Sequence, residues 1–297
     1  MELSIEPRDF GNTGIKVSAL GYGAGHIGSA AISDAEVEKI LNEVVDRGIN
    51  LIDTAKGYYL SEERIGKFLC KNRRDEIVLS TKVGYGVEGV QDWTYDAVYK
   101  GIDEARKKLN TDYIDIVFLH SCERYHLVKG DVIHALEKAR EEGKIKAFGY
   151  SGENESLDYG IYTNRLNAIQ TSINVFDQRV LHTSLPKAKQ HSMGVIAKRP
   201  IGNAPWRFKE QPHGDYAETY WQRMKTMGLD YGNEWADIAL RFTCFWYGVD
   251  TAIVGTTNLK HLGQNIEAIN KGKLDEDLIH YLIGLFRVKD DNWVGQL

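Results

Sequence analysis

Residues 50–59 read Asn-Leu-Ile-Asp-Thr-Ala-Lys-Gly-Tyr-Tyr. The short apolar run Leu51-Ile52 stops abruptly at Asp53, and Tyr58 follows five residues later. An ionisable residue at the end of a buried strand is costly unless it is paired. In parallel α/β proteins that end of the strand is also where ligands bind. The same event recurs at the next two strands: residues 77–81 (Ile-Val-Leu-Ser-Thr) run into Lys82, and residues 116–119 (Ile-Val-Phe-Leu) run into His120. Asp, Lys and His on three successive strand ends, with a Tyr on the loop after the first, are the parts of a proton-delivery device.

Working outward, strand and helix patterns alternate along the chain. Residues 4–6 and 15–17, around the turn Gly11-Asn12-Thr13-Gly14, predict a short N-terminal β-hairpin. A strand follows at 19–23. Ser33-Asp34-Ala35-Glu36 is a capping box opening a helix whose apolar face carries Val37, Ile40, Leu41 and Val44, with Gly48 as its stop. Downstream, strands are predicted at 145–151, 168–172, 194–198 and 251–254. Helices are predicted after Asp53 (Ile65, Phe68, Leu69), over 94–109 and 132–142, from about Leu181, from Trp235 and from Leu259. Residues 200–233, rich in tryptophan and tyrosine, interrupt the rhythm. No Pro/Ser-rich linker divides the chain, so 297 residues are expected to form one domain, 1–297.

Eight strands alternating with helices predict an α/β (β/α)8 TIM barrel with a short N-terminal β-hairpin. An open doubly wound sheet would announce a GxGxxG turn after its first strand. Gly21-Tyr22-Gly23-Ala24-Gly25 lacks the final glycine at that spacing.

Composition narrows the function classes. A net charge of −5 without a basic stripe argues against a nucleic-acid partner. No run of 18 apolar residues and no signal-peptide core occurs, so a soluble, cytoplasmic protein without a membrane partner is expected. Cys70, Cys122 and Cys244 lie far apart and form no CxxC pair, which fits a reducing compartment. His120, Glu123 and His126 do not have the spacing of a metal-binding helix, and no metal is expected.

The four polar residues make chemical sense together. Tyrosine, with a reference pKa of about 10, is a poor acid at neutral pH. An ammonium beside the phenol stabilises phenolate, a carboxylate beside the ammonium keeps it charged and oriented, and an imidazole can hydrogen-bond a substrate oxygen. An Asp–Lys pair at a barrel end can also be purely structural.

Asp53-Thr54-Ala55 followed by Tyr58, then Ser61-Glu62, Thr81-Lys82 and Leu119-His120, are ordered and spaced in a way that closely resembles the aldo-keto reductases. The similarity runs from Gly11-Asn12-Thr13-Gly14-Ile15-Lys16-Val17-Ser18 to Gln264-Asn265. The resemblance implies a TIM barrel using a nicotinamide cofactor laid over the barrel mouth without Rossmann glycines. It further implies reduction of an aldehyde, ketone or sugar carbonyl, or the reverse, with Tyr58 as general acid and Asp53, Lys82 and His120 completing a tetrad. Gly23, Ala24 and Asp53 would lie along the cofactor. Ser151 and Gln170 match positions that contact the carboxamide, although the asparagine that usually follows the serine is Gly152 here. Lys198-Arg199-Pro200 replaces an aromatic-led motif and puts two cations near a pyrophosphate path, or simply a solvated basic pair. Gly25 stands where many relatives place a pocket tryptophan.

After the last strand, relatives selective for the 2′-phosphate supply a lysine and an arginine. Gly255 and His261 stand at those positions, with Thr256, Thr257, Asn258, Lys260, Gln264 and Asn265 around them. A bidentate guanidinium grip is missing, and the helix N-terminus with its neutral donors remains. NADP(H) is therefore expected to be preferred over NAD(H). Trp206 and Trp221 are candidate substrate walls, Trp235 and Trp246 helix-packing residues, and Cys122 a pocket wall. Two other functions fit the same residues: a cofactor-binding regulatory subunit with little turnover, and a Schiff-base lyase using Lys82, which Asp53 should disfavour by keeping the amine charged.

Overall fold

Alternation of buried β-rich runs with amphipathic helices closes the chain into a barrel. The computed structural model describes residues 1–297. An antiparallel hairpin, β1 (Arg8–Asp9) and β2 (Lys16–Val17), precedes the barrel. Eight parallel strands follow: β3 (Leu20–Gly23), β4 (Leu51–Asp53), β5 (Val78–Val83), β6 (Ile114–His120), β7 (Ile145–Ser151), β8 (Ala168–Ser172), β9 (Gly194–Lys198) and β10 (Thr251–Val254). They pair in chain order, and β10 closes the ring through Ala252 opposite both Leu20 and Ala197. Four of these strands have the bounds expected from sequence, and β5 runs one residue past Lys82.

The helices lie outside. They are α1 (Asp34–Asp46), α2 (Ser61–Ile65), α3 (Lys71–Arg73), α4 (Tyr95–Lys108), α5 (Arg124–Lys129), α6 (Asp131–Glu141), α7 (Asn154–Tyr162), α8 (Ser184–Gln190), α9 (Glu218–Met227), α10 (Trp235–Cys244), α11 (Leu259–Asn270) and α12 (Glu276–Lys289). Ser33 caps α1 in the reciprocal arrangement with Glu36 that the sequence predicted. A wide turn over Gly66–Cys70 joins α2 to α3.

The hairpin is shifted from its expected place. Its first strand is Arg8–Asp9, because residues 3 and 4 bond instead to the ends of α1 and α11, through the Arg47 carbonyl and the Asn270 side chain. The hairpin plugs the bottom of the barrel. Phe10, Ile15 and Val17 cluster with Leu51, Val78, Ile116, Phe118 and Ile196 in the barrel interior. A β-carbon on Gly194 would fall 2.6 Å from the Phe10 ring, so a glycine there lets the plug seat. With the bottom sealed, the open end is the one carrying Asp53, Lys82 and His120.

Candidate active site

The ion pair expected at the strand ends is present and fully buried. Lys82 Nζ lies 2.6 Å from Asp53 Oδ2 and donates at 2.8 Å to the Thr54 carbonyl; their side chains are 2% and 1% exposed. Asp53 Oδ1 accepts from Ser80 Oγ at 2.8 Å and Gln170 Nε2 at 2.9 Å, and Gln170 Oε1 accepts from Ser151 Oγ at 2.8 Å. Both carboxylate oxygens are thus satisfied, as a buried charge requires. Burial alone disfavours the Lys82 ammonium, but the Asp53 carboxylate and the Tyr58 phenol outweigh it and hold its pKa above the ordinary lysine value. Lys82 Nζ stands 5.1 Å from the Tyr58 ring centroid.

Tyr58 is half-buried on a loop pinned at both ends. Thr54 Oγ1 donates to Ser61 Oγ, which donates to the Ala24 carbonyl, each at 2.8 Å. Thr81 Oγ1 donates to the buried Glu62 at 2.7 Å. The Ser61-Glu62 pair therefore anchors the start of α2 below the tyrosine. Gly28 passes so close that a β-carbon there would fall 1.8 Å from the Tyr58 carbonyl oxygen. At Gly25 a β-carbon would rest 3.7 Å from the Tyr58 ring, so this wall is open because glycine occupies it.

His120 sets its ring edge-on to Tyr58, centroids 6.2 Å apart. Its pKa is lowered to about 3, first by burial and then by the positive charges of Lys82, Lys198 and Arg199. It is neutral throughout the physiological range. Its Nδ1 lies 2.9 Å from the hydroxyl of Tyr85, a residue that sequence reasoning passed over. The available signal was position: Tyr85 is three residues past Lys82, on the loop leaving the same strand end.

Lys198 and Arg199 are not a solvated pair. Lys198 Nζ lies 3.2 Å from Glu153 Oε1, a 1% exposed side chain that also accepts from the Ser172 amide and hydroxyl and from Thr171. Burial pulls the Lys198 pKa down, and Glu153 only partly offsets it. Arg199 donates to Ser172 Oγ and to the Gln296 carbonyl of the C-terminal tail. Glu153 too went unnoticed in the sequence, hidden beside the Ser151-Gly152 step. Pro200 is buried directly after this pair. Gly152 is enforced locally, since a β-carbon would meet the Tyr150 hydroxyl at 2.5 Å, and Asn154 is engaged with the tail at Gly295. Ser151 and Gln170 sit inside the barrel with their polar groups already joined to Asp53.

On the other side of the mouth, β3 and β10 approach closely. A β-carbon on Gly255 would fall 2.6 Å from the Gly23 carbonyl oxygen and 3.0 Å from the His26 ring, so no lysine fits at 255 without moving the backbone. Ala24 is buried and its amide donates to the Asp53 carbonyl. Asn258 caps α11 by accepting from the Lys260 amide at 2.8 Å, and its own amide donates to Thr256 Oγ1 at 3.1 Å. Thr257, Lys260, His261 and Gln264 are exposed around this helix start, whereas Asn265 is buried behind it.

The candidate wall residues are placed as follows. Trp206 stacks on Trp235 at 5.2 Å and 5°, and Trp221 lies on α9 with its indole N–H bonded to the Phe208 carbonyl. Both are engaged in packing the 200–233 segment rather than standing as a free platform. Cys122 is buried, and burial pushes its thiol pKa up to about 12, which leaves it inert.

A buried Lys–Asp pair, a tyrosine and a histidine stand together at the open end of a parallel barrel, groups whose chemistry can move a proton to or from an oxygen held beside them. Residues 19–285 match the family model for the Aldo/keto reductase family, and the chain belongs to that family. It is 28% identical to L-galactose dehydrogenase of Arabidopsis thaliana over 90% of this chain and 89% of that protein. It is also 28% identical to D-threo-aldose 1-dehydrogenase of a Pseudomonas species, over 86% and 90%. The fold matches that of aldo-keto reductase AKR11C1 from Bacillus halodurans in its holo form, with a TM-score of 0.79 at 24% identity over 95% and 96% of the two chains.

Proposed function

We propose that this protein is an NAD(P)(H)-dependent oxidoreductase that interconverts a small aldehyde, ketone or sugar carbonyl and the alcohol, with Tyr58 exchanging the proton. The observation that carries this reading is the buried Lys82–Asp53 pair beside the Tyr58 ring. An ammonium held charged in a dry site stabilises phenolate as the phenol gives up its proton to the nascent alkoxide. Neutral His120 serves as a hydrogen-bond donor to the same oxygen. The charged state of Lys82 disfavours a Schiff-base role. The sugar dehydrogenase relatives favour a hydroxylated substrate.

A nicotinamide cofactor would supply the hydride, and the residues present fit one. The close Gly23–Gly255 approach leaves the backbone bare between the catalytic end and the α11 start, and the exposed donors there suit an anionic group. Gly23, Ala24, Ser151, Gln170, Lys198, Arg199, Pro200, Thr256, Thr257, Asn258, His261, Gln264 and Asn265 would line its length. With Lys260 and the helix N-terminus near a 2′-phosphate and no arginine grip, NADPH should bind more tightly than NADH by a modest factor. Dissociation constants from fluorescence titration check this, and tighter NADH binding overturns it.

The test of the function is a panel of aldehydes, ketones and sugars assayed with both cofactors. Consumption of reduced nicotinamide is expected; binding of cofactor without turnover of any compound would favour a regulatory subunit instead. A second expectation concerns the loop. Gly28→Ala should displace Tyr58 and lower turnover by about a hundredfold, the scale of a 1 Å misplacement. Near-normal turnover in that variant, with the fold intact by circular dichroism, would mean that the loop tolerates the displacement.

A further inference from the structure

We infer that Tyr85 is a positioning residue for this reaction: its hydroxyl donates to His120 Nδ1 and thereby fixes the imidazole in the tautomer that carries its proton on Nε2. The inference rests on the function proposed above, in which His120 donates to a carbonyl oxygen.

A neutral imidazole has one N–H donor and one bare acceptor nitrogen, and its partner on one side decides which nitrogen is which. A carbonyl oxygen can only accept, so His120 helps it only through an N–H. Left alone, the ring would divide its population between the two tautomers, and part of the protein would present a lone pair to the substrate oxygen. The phenol of Tyr85, 2.9 Å from Nδ1, biases that balance: a phenolic hydroxyl can donate or accept, but its lone pairs are drawn into the ring and it donates better than it accepts, which favours a bare Nδ1 and leaves Nε2–H as the ring's donor.

The surroundings show that this contact is built. The Tyr85 ring lies 5.6 Å from the His120 ring and packs against Trp93 at 5.7 Å. Trp93 in turn lies over Gly84, where a β-carbon would fall 2.2 Å from the indole and where φ is +129°. The Trp93 amide donates to the Gly84 carbonyl at 2.7 Å, and the Gly86 amide donates to Asp92 Oδ1 at 2.8 Å. Trp93 itself holds a left-handed backbone, φ +59°, which a bulky residue adopts only when its surroundings require it. Residues 84–93 thus form a closed loop that clamps Tyr85 from one side. From the other side Gly57, one residue before Tyr58, leaves room for the hydroxyl, since a β-carbon there would fall 2.7 Å from it. Glycine at 57 leaves the hydroxyl its space beside the histidine, and glycine at 84 lets Trp93 seat against the loop.

Nitrogen NMR of the isotope-labelled, unmodified protein reads the tautomer directly. The expected result is a bare Nδ1 and a protonated Nε2 in His120, unchanged between about pH 5 and 8. Tyr85→Phe, which keeps the ring, should show both tautomers and lower kcat roughly tenfold, the scale of removing a group that orients a site ligand. KM and NADPH affinity should stay within about twofold, because binding energy elsewhere is untouched. Gly57→Ala, which leaves Tyr85 in place but crowds its hydroxyl, should shift the same resonances in the same direction. A protonated Nδ1 in the unmodified protein, or normal kcat in Tyr85→Phe while Tyr58→Phe is impaired, would overturn the role of Tyr85 and leave the proposed function standing. The tautomer is measurable without substrate, so a protein that reduces no carbonyl compound would sink the function without blurring this result.

Discussion

Tyr58→Phe should lower the turnover of carbonyl reduction by about a hundredfold or more, the scale of losing a general acid, while cofactor affinity barely moves. The structure offers no convenient replacement. Lys82 is fully buried, with donors committed to Asp53 and the Thr54 carbonyl. His120 is neutral, and with a pKa of about 3 it is a poor reservoir of protons at assay pH. Tyr85, whose pKa burial raises, is a weaker acid than free tyrosine and is turned to His120. The phenyl ring of the variant still fills the space beside Gly25, so substrate access should be preserved and the loss should fall on kcat. Single-turnover measurements with saturating cofactor separate the two parameters. Near-normal turnover in this variant would show that the proton comes from elsewhere and that Tyr58 is a wall of the pocket.

The barrel was legible because each strand is a short apolar run bounded by a polar residue or glycine, and a buried parallel strand has little freedom to begin or end elsewhere. The bounds of β7, β8, β9 and β10 follow from that alone. Helix α7 was missed for a matching reason. Its buried face is only Leu157, Gly160 and Ile161, too short a stripe to stand out among tyrosines. Helix α9 was hidden in the same way, because Trp221 and Tyr220 read as loop aromatics until their packing is seen. The hairpin slipped because residues 4–6 alternate like a strand, yet the amides of Leu3 and Ser4 bond to helix ends rather than to a second strand.

Within the site, Asp53, Lys82 and His120 stood out because each is a polar residue where a strand pattern breaks, and Tyr58 because it follows Asp53 at the spacing of the motif that the stretch resembles. Tyr85 and Glu153 did not, since each lies on a loop and its meaning comes from a residue distant in sequence. The basic pair Lys198-Arg199 shows the same limit. The cations are plain in the sequence, but the Glu153 carboxylate and the Gln296 carbonyl that occupy them lie 45 and 97 residues away in the chain.

Lys82→Met should be the most damaging substitution in the site, through two measurable losses. The first is activity: without the ammonium the phenolate formed at Tyr58 has no counter-charge, and turnover should fall about as far as when the general acid is removed. The second is stability. Met leaves the Asp53 carboxylate buried with only Ser80 and Gln170 as neutral donors. Breaking a buried pair from one side costs about 3–5 kcal/mol. Adding Asp53→Asn removes the stranded charge, so the double variant should recover much of that stability and none of the activity. Asp53→Asn alone should cost less activity than Lys82→Met, because the lysine stays and keeps the Thr54 carbonyl. Without Asp53, however, burial is less opposed, so the Lys82 pKa falls and activity should improve as pH is lowered. In the unmodified protein the pKa shift has the opposite direction, upward. The folded-state Lys82 pKa lies above the ordinary value, so its contribution is fully present below about pH 10.5 and is lost as pH rises through the higher folded value. Lys82→Met should lack that alkaline loss in urea titrations. If Asp53→Asn proves far more damaging to turnover than Lys82→Met, the carboxylate acts on the reaction directly and does more than hold the lysine in its charged state.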